Sequence, residues 1–175
     1  MIRRTRPGVT SGLAVVAVAA IAGGATAAVA STPPPIKPKP GQWIGETSQK
    51  TKDGKGYEPI GFTVTNDRKK IKKLGFIALL DCDGNIQTKK DQKEVQVLPP
   101  GTGNIKNGKF TFKWHKGQKD IFGEYPTELD LSGKFKKVTS GGHTAVLATG
   151  NFSYDTPGKP GQVCHAGGAF ALTHS

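Results

Sequence analysis

The sequence predicts an all-β fold, a single antiparallel β-sandwich of jelly-roll type with about eight strands, and a closed β-barrel is the alternative arrangement. Three observations predict it. No segment holds a helical period, apolar residues recur at every second position, and turn residues interrupt these runs at short intervals. No crossover helix separates the strands, which argues against a parallel sheet.

Taken from the amino end, the first elements are not part of that fold. Arg3, Arg4 and Arg6 form a basic region, Leu13 to Ala22 an apolar core, and Ala28-Val29-Ala30 an A-x-A cleavage pattern. Residues 1–30 therefore read as a secretory signal peptide, too short in its apolar run to span a membrane. Ser31 to Gly41 carries prolines and lysines at a density that favours extended chain, and it reads as a spacer before a domain at 42–175.

Within the domain, Ile60, Phe62 and Val64 share one strand face. Phe110, Phe112 and Trp114 alternate with Lys109, Thr111, Lys113 and His115, and Asn107-Gly108 just before them is a type I′ hairpin signal. Leu129 and Leu131, then Val146, Ala148 and Phe152, and finally Cys164, Ala166, Phe170 and Leu172 continue the alternation. Pro99-Pro100-Gly101, Ser140-Gly141-Gly142 and Thr156 to Gly161 punctuate it. Gln87 to Glu94 reads as a polar loop.

The segment Gly75 to Asn85, GFIALLDCDGN, poses a choice between a metal rim and a strand end. Asp81, Asp83 and Asn85 stand at positions 1, 3 and 5 of a calcium-loop pattern, but the later positions hold Ile86 and Gln92, where an EF-hand needs glycine and glutamate. We read an exit turn and predict no metal; Asp81, Asp83 and Asn85 are the residues that a different calcium loop would use. Phe76, Ala78, Leu80 and Cys82 share a face, and Cys164 shares one with Ala166, Phe170 and Leu172. An even cysteine pair in an exported chain predicts one disulfide, Cys82–Cys164. Ile77 and Leu79 make the opposite face apolar too, so this strand is either covered on both sides or forms one face of a groove.

Charge narrows the partners. Without Arg3, Arg4 and Arg6, the 25 basic residues become 22 against 13 acidic, a net charge of +9, and only Arg68 among them is arginine. Lysine is a hydrated point charge without arginine's planar fork, so this basicity suits anionic cell-wall or glycan polymers better than specific nucleic-acid reading. Arg68, Lys69, Lys70, Lys72 and Lys73 form the densest patch, with further basic residues at 89–93 and 134–137.

Catalytic constellations are sparse. His115, His143, His165 and His174 lack metal-ligand spacing, no serine sits in a nucleophile elbow, and oxidised cysteines cannot attack. Glu128 and Asp130 are the one acidic pair on a common strand face, as a glycan hydrolase would need, although such outward pairs ordinarily solvate a surface. No cofactor is implied. Trp43, Tyr57, Tyr125 and Tyr154 are the rings available to stack on a sugar, and Trp43 reads first as a packing residue.

One pattern extends the reading. Trp43-Ile44-Gly45-Glu46-Thr47-Ser48-Gln49 followed by Pro59-Ile60-Gly61-Phe62-Thr63-Val64 resembles the opening of a group of uncharacterised small exported β-sandwich proteins of actinobacteria. The resemblance extends to one cysteine after an early strand and one in the last; Lys50 to Gly56 and the lysine richness depart from it. It implies an exported β-sandwich and transfers no catalytic residue. The expected function is a secreted, extracellular or cell-envelope-associated binding module without catalysis. The rivals are a secreted glycan hydrolase and a protease inhibitor presenting Thr156 to Gly161.

Overall fold

A computed structural model describes residues 34–82, 92–116, 127–159 and 161–175. Within them the chain forms nine antiparallel strands in one sheet and no helix. They are β1 (Gly41–Lys50), β2 (Tyr57–Val64), β3 (Lys70–Leu80), β4 (Lys93–Val97), β5 (Thr102–Lys106), β6 (Lys109–Lys116), β7 (Thr127–Ser140), β8 (His143–Pro157) and β9 (Val163–His174). The all-β, sandwich-like expectation holds, with one refinement. Strand order β2-β1-β9-β8-β7-β6-β5-β3-β4 gains a further pairing of β2 with β3, so the ladder returns on itself and one curled sheet encloses the core. Connections run between sequence neighbours, as in a meander, where a jelly roll would cross over.

β4 and β5 lie on the same edge of β3. Phe76 pairs with Ile60 on one side and Val97 on the other, while Lys72 pairs with Thr63 and Thr102. They act as one strand interrupted at Leu98–Gly101, where Pro99 and Pro100 bring no N–H to a ladder. Lys93 and Glu94, read from sequence as the end of a loop, open β4.

Alternation fills the interior. Ile60, Phe62, Val64, Phe110, Phe112, Leu129, Leu131, Phe152, Phe170 and Leu172 are all buried, and their outward neighbours are largely polar. Phe110 is the hub, with ring centroids of Phe62, Phe135 and Phe170 at 5.3, 5.1 and 6.1 Å. Removing such a ring costs about 3–5 kcal/mol.

From Pro34 onward the proline-lysine segment belongs to the domain rather than serving as a free spacer. Ile36 packs on the core and lies over Gly108, Pro38 is buried, and the Lys39 carbonyl accepts the Trp43 indole N–H at 3.0 Å. Extended proline chain has few orientations to lose on docking, which makes this packing inexpensive in entropy.

At the other end of the sheet, Cys82 and Cys164 form the expected disulfide across a sequence separation of 82 residues. Beside it Asp81 and His165 exchange both backbone hydrogen bonds at 2.8 Å, so β3 and β9 meet where β1 and β2 have ended. In the chain-entropy model such a loop destabilises the unfolded chain by about 4–5 kcal/mol.

The motif Thr47-Ser48-Gln49 has a structural account at this join. The β1–β2 register shifts between Glu46 and Lys50, which strips β3 of its neighbour near Leu79. The Gln49 side-chain amide takes that place: its Nε2 donates to the Leu79 carbonyl at 3.1 Å and its Oε1 accepts the Leu79 N–H at 3.2 Å. Ser48 Oγ accepts the Ala169 N–H and Thr47 Oγ1 accepts the Gln49 N–H, so three polar side chains repair backbone that a bulge leaves open.

Candidate functional site

Two turns gather at the end opposite the disulfide. Thr65–Lys70 closes the β2–β3 hairpin, held by Thr65 N–H to the Lys70 carbonyl at 3.0 Å. Asp67 pins it, accepting from Thr65 Oγ1 at 2.5 Å and from the Lys69 N–H at 3.0 Å. The Ile105 N–H then donates to the Lys69 carbonyl, which sets the β5–β6 turn alongside. In that turn Asn107 and Gly108 both have positive φ, 53° and 72°, the backbone the type I′ signal requires. The Phe135 N–H donates to the Gly108 carbonyl, and Lys109 pairs with Lys134, which joins β7 to the group.

These contacts assemble a basic end. Arg68, Lys69, Lys70, Lys106, Lys109, Lys134, Lys136 and Lys137 are all exposed there, and Lys37 and Lys39 of the docked leader add to them. Lys72 and Lys73 continue the run along β3, again exposed. Asp67 is the carboxylate of the two turns. The Thr65 hydroxyl and Lys69 N–H hold its acid below the ordinary 3.8, with Lys69 and Lys70 adding their charge. Sequence reading found the 68–73 run, but not its union with Lys106, Lys109 and the leader lysines.

Acids concentrate toward the disulfide end, and three of them lie against a basic side chain. Glu128 and Asp130 do point outward from β7, but each faces a cross-strand basic side chain: His115 Nδ1 lies 3.2 Å from Glu128 and Lys113 Nζ 2.9 Å from Asp130. His165 Nδ1 lies 2.7 Å from Asp155, on the face opposite Cys164 as its position in the strand predicts. Neither Glu128 nor Asp130 lines either of the two main depressions. Of the calcium candidates, Asp83 and Asn85 lie outside the described residues, and Asp81 forms the backbone bridge to His165. Among the described residues no group of three or more acidic, histidine or cysteine side chains could hold a metal ion.

The aromatic candidates divide. Trp43, the ring also expected to pack, is wholly buried, edge-on to Phe135 and His174 at 5.0 and 5.6 Å. Its face is spent inside the core, because an inward position on β1 offers the ring no solvent. Tyr154 is buried beside Phe76 and lines a depression of about 540 Å³ next to the disulfide. Tyr57 is exposed, with Lys50 Nζ 3.9 Å from its ring centroid. Tyr125 lies outside the described residues, as do Lys89 and Lys90. Of Thr156 to Gly161, Thr156 and Pro157 end β8, the Gly158 N–H donates to the Gln162 carbonyl at 2.9 Å, and Pro160 lies outside the described residues.

One unusual residue escaped the sequence reading. Glu58 is buried, its Oε1 has no hydrogen-bond partner, and burial pushes its pKa up from 4.5, with Glu94 and Asp53 adding repulsion. Its parity with Ile60, Phe62 and Val64 places it on the inward face, and that was the available signal.

No protein-family model, curated protein or solved structure matches this chain. Among the described residues no helix is long and apolar enough to cross a membrane, and the disulfide hints at an oxidising environment.

Proposed function

We propose that this protein is an exported, non-catalytic binding module that attaches to anionic cell-wall or glycan polymers through its basic end. The carrying observation is the clustering of lysines from two turns, β7 and the docked leader around Asp67, the carboxylate of those turns. A flexible patch would lose much of its attraction to side-chain and backbone ordering on binding. Here the turns are pinned by hydrogen bonds, so only the lysine side chains need to order. Lysines at such density attract a polyanion from several directions without demanding a fixed phosphate or carboxylate geometry. The signal-like segment, the disulfide and the paired outward acids support export and the absence of catalysis.

Retention on purified cell wall, or on an immobilised anionic glycan, tests this reading. Retention at low salt should weaken steeply as ionic strength rises, because exposed charges are screened within about 8–10 Å at physiological salt. Combined Lys106→Glu, Lys109→Glu and Lys134→Glu should abolish it, whereas Lys113→Glu, outside the cluster, should change it little. Retention that ignores salt, or that survives the triple reversal, would refute the proposal.

A further inference from the structure

A second site lies beside the disulfide, at the end of the sheet away from the basic turns. Leu80 and Lys93 are cross-strand partners on β3 and β4, and with Val95, Tyr154 and Thr156 they line a depression of about 540 Å³. That volume is ordinary for a small-ligand pocket. The segment between β8 and β9 supplies one wall and is tied to the disulfide. A Cβ at Gly158 would stand 2.8 Å from Cys164 Sγ, and Gln162 Nε2 donates to the Cys82 carbonyl. The wall therefore stands before any ligand arrives, which spares the cost of ordering it on binding.

Leu80, Val95, Pro157 and the disulfide give this depression an apolar lining. Most of its polar groups are already engaged: Thr156 Oγ1 lies 3.3 Å from Thr127 Oγ1, and Gln162 serves Cys82. Tyr154 is different. It is only 8 % exposed, yet its hydroxyl makes no hydrogen bond, so a phenol O–H is left facing the depression. A buried hydroxyl ordinarily finds a partner, and here the partner must come from outside the protein. Two charges join it. Lys93 and Lys159 line the depression, both are exposed, and neither ammonium has an ion pair among the described residues. No described carboxylate lines it. Asp81, Glu94 and Asp155 stand at the alternate positions of their strands, Asp155 against His165, and the buried Glu58 is not part of the lining. The site thus combines an apolar body, a spare hydroxyl and two unopposed positive charges.

We propose that the depression binds a small organic acid. Its apolar body lies against Leu80, Val95 and Pro157, its carboxylate meets Lys93 and Lys159, and a hydroxyl at its other end meets Tyr154. This site is independent of the polymer-binding end. The test is 4-hydroxyphenylacetate, titrated into the whole oxidised protein and followed by calorimetry and amide chemical shifts. One saturable site should appear, with shifts at Leu80, Val95, Tyr154 and Lys159. Lys93→Gln combined with Lys159→Gln should weaken it about two- to thirtyfold, the range of two exposed charge pairs. Tyr154→Phe should weaken it about two- to tenfold and should remove any preference over phenylacetate, which lacks the hydroxyl. These side chains have no protein partner to lose, so the variants keep the fold. The absence of a saturable site would overturn the proposal. So would equal affinity for 4-hydroxyphenethylamine, which carries the opposite charge on the same ring, or a double lysine variant without effect. Shifts that fall instead at Lys69, Lys106 and Lys134 would overturn it too, as general attraction to the basic end.

Discussion

The end of the sheet that carries the lysines and the end that carries the disulfide are held by different means. At the lysine end, turn chemistry does the work: Asp67 under the β2–β3 hairpin, positive φ at Asn107 and Gly108, and the leader laid over Gly108. At the other, β1 and β2 part from their neighbours, and closure falls to the Cys82–Cys164 bond, the Asp81–His165 bridge and the Gln49 amide. Charge follows the same division. Like charges crowd together where turn hydrogen bonds fix the backbone, and acids lie against basic side chains across the continuous β6–β7 and β8–β9 ladders. The difference teaches that a surface kept strained by repulsion needs a backbone fixed locally, beneath it.

Perturbing each end in turn should separate stability from binding. The largest effect is expected from Cys82→Ser with Cys164→Ser, which should lower unfolding free energy by about 4–5 kcal/mol in denaturant titration. Polymer retention by the fraction still folded should be unchanged. Next, Gln49→Ala leaves the Leu79 N–H and carbonyl without their partner and should cost about 1–3 kcal/mol, with faster amide exchange at Leu79. A smaller loss of about 1–2 kcal/mol is expected from Asn107→Val, because a β-branched side chain resists positive φ, whereas Asn107→Gly should be near neutral. This variant should also weaken retention, since Lys106 and Lys109 flank the turn. The smallest effect belongs to Asp130→Asn, at about 0–1 kcal/mol for an exposed pair.

pH acts on both ends with opposite signs. The folded state raises the Glu58 pKa, so it binds that proton more readily than the unfolded chain, and stability falls as pH rises above 4.5. Asp67 and Asp53 are held below 3.8 by their Thr65 and Thr51 hydrogen bonds, so what they contribute is lost as pH drops through that range. Stability against pH, measured by thermal melting, should therefore decline on the alkaline side less steeply in Glu58→Gln than in the parent protein.

Much of the fold was legible because alternation reports burial directly. Phe110, Phe112 and Trp114 announce a strand and its inward face, and Asn107-Gly108 announces the turn that starts it. The disulfide followed from two cysteines on apolar faces. Ile77 signalled a groove, as the outward apolar position on β3. Pairing partners were not legible, because a pattern of period 2 says which face is buried and not which strand lies alongside. For that reason the return of β3 to β2, and the split of one edge into β4 and β5, emerged only in the structure. The basic end was hidden likewise: Lys69, Lys106 and Lys134 are distant in sequence and meet through register alone.

Trp43 pairs with His174, and the Ser175 N–H donates to the Gln42 carbonyl, so the first strand completes its hydrogen bonds with the last. Every other ladder joins strands close in sequence. A ribosome making this chain therefore delivers β1 well before the partner for its second edge. Throughout elongation that edge, with the Trp43 indole beside it, is a half-made sheet open to any passing strand. Loss of β9 would leave the same edge unfinished, so the ninth strand is the lock on the first.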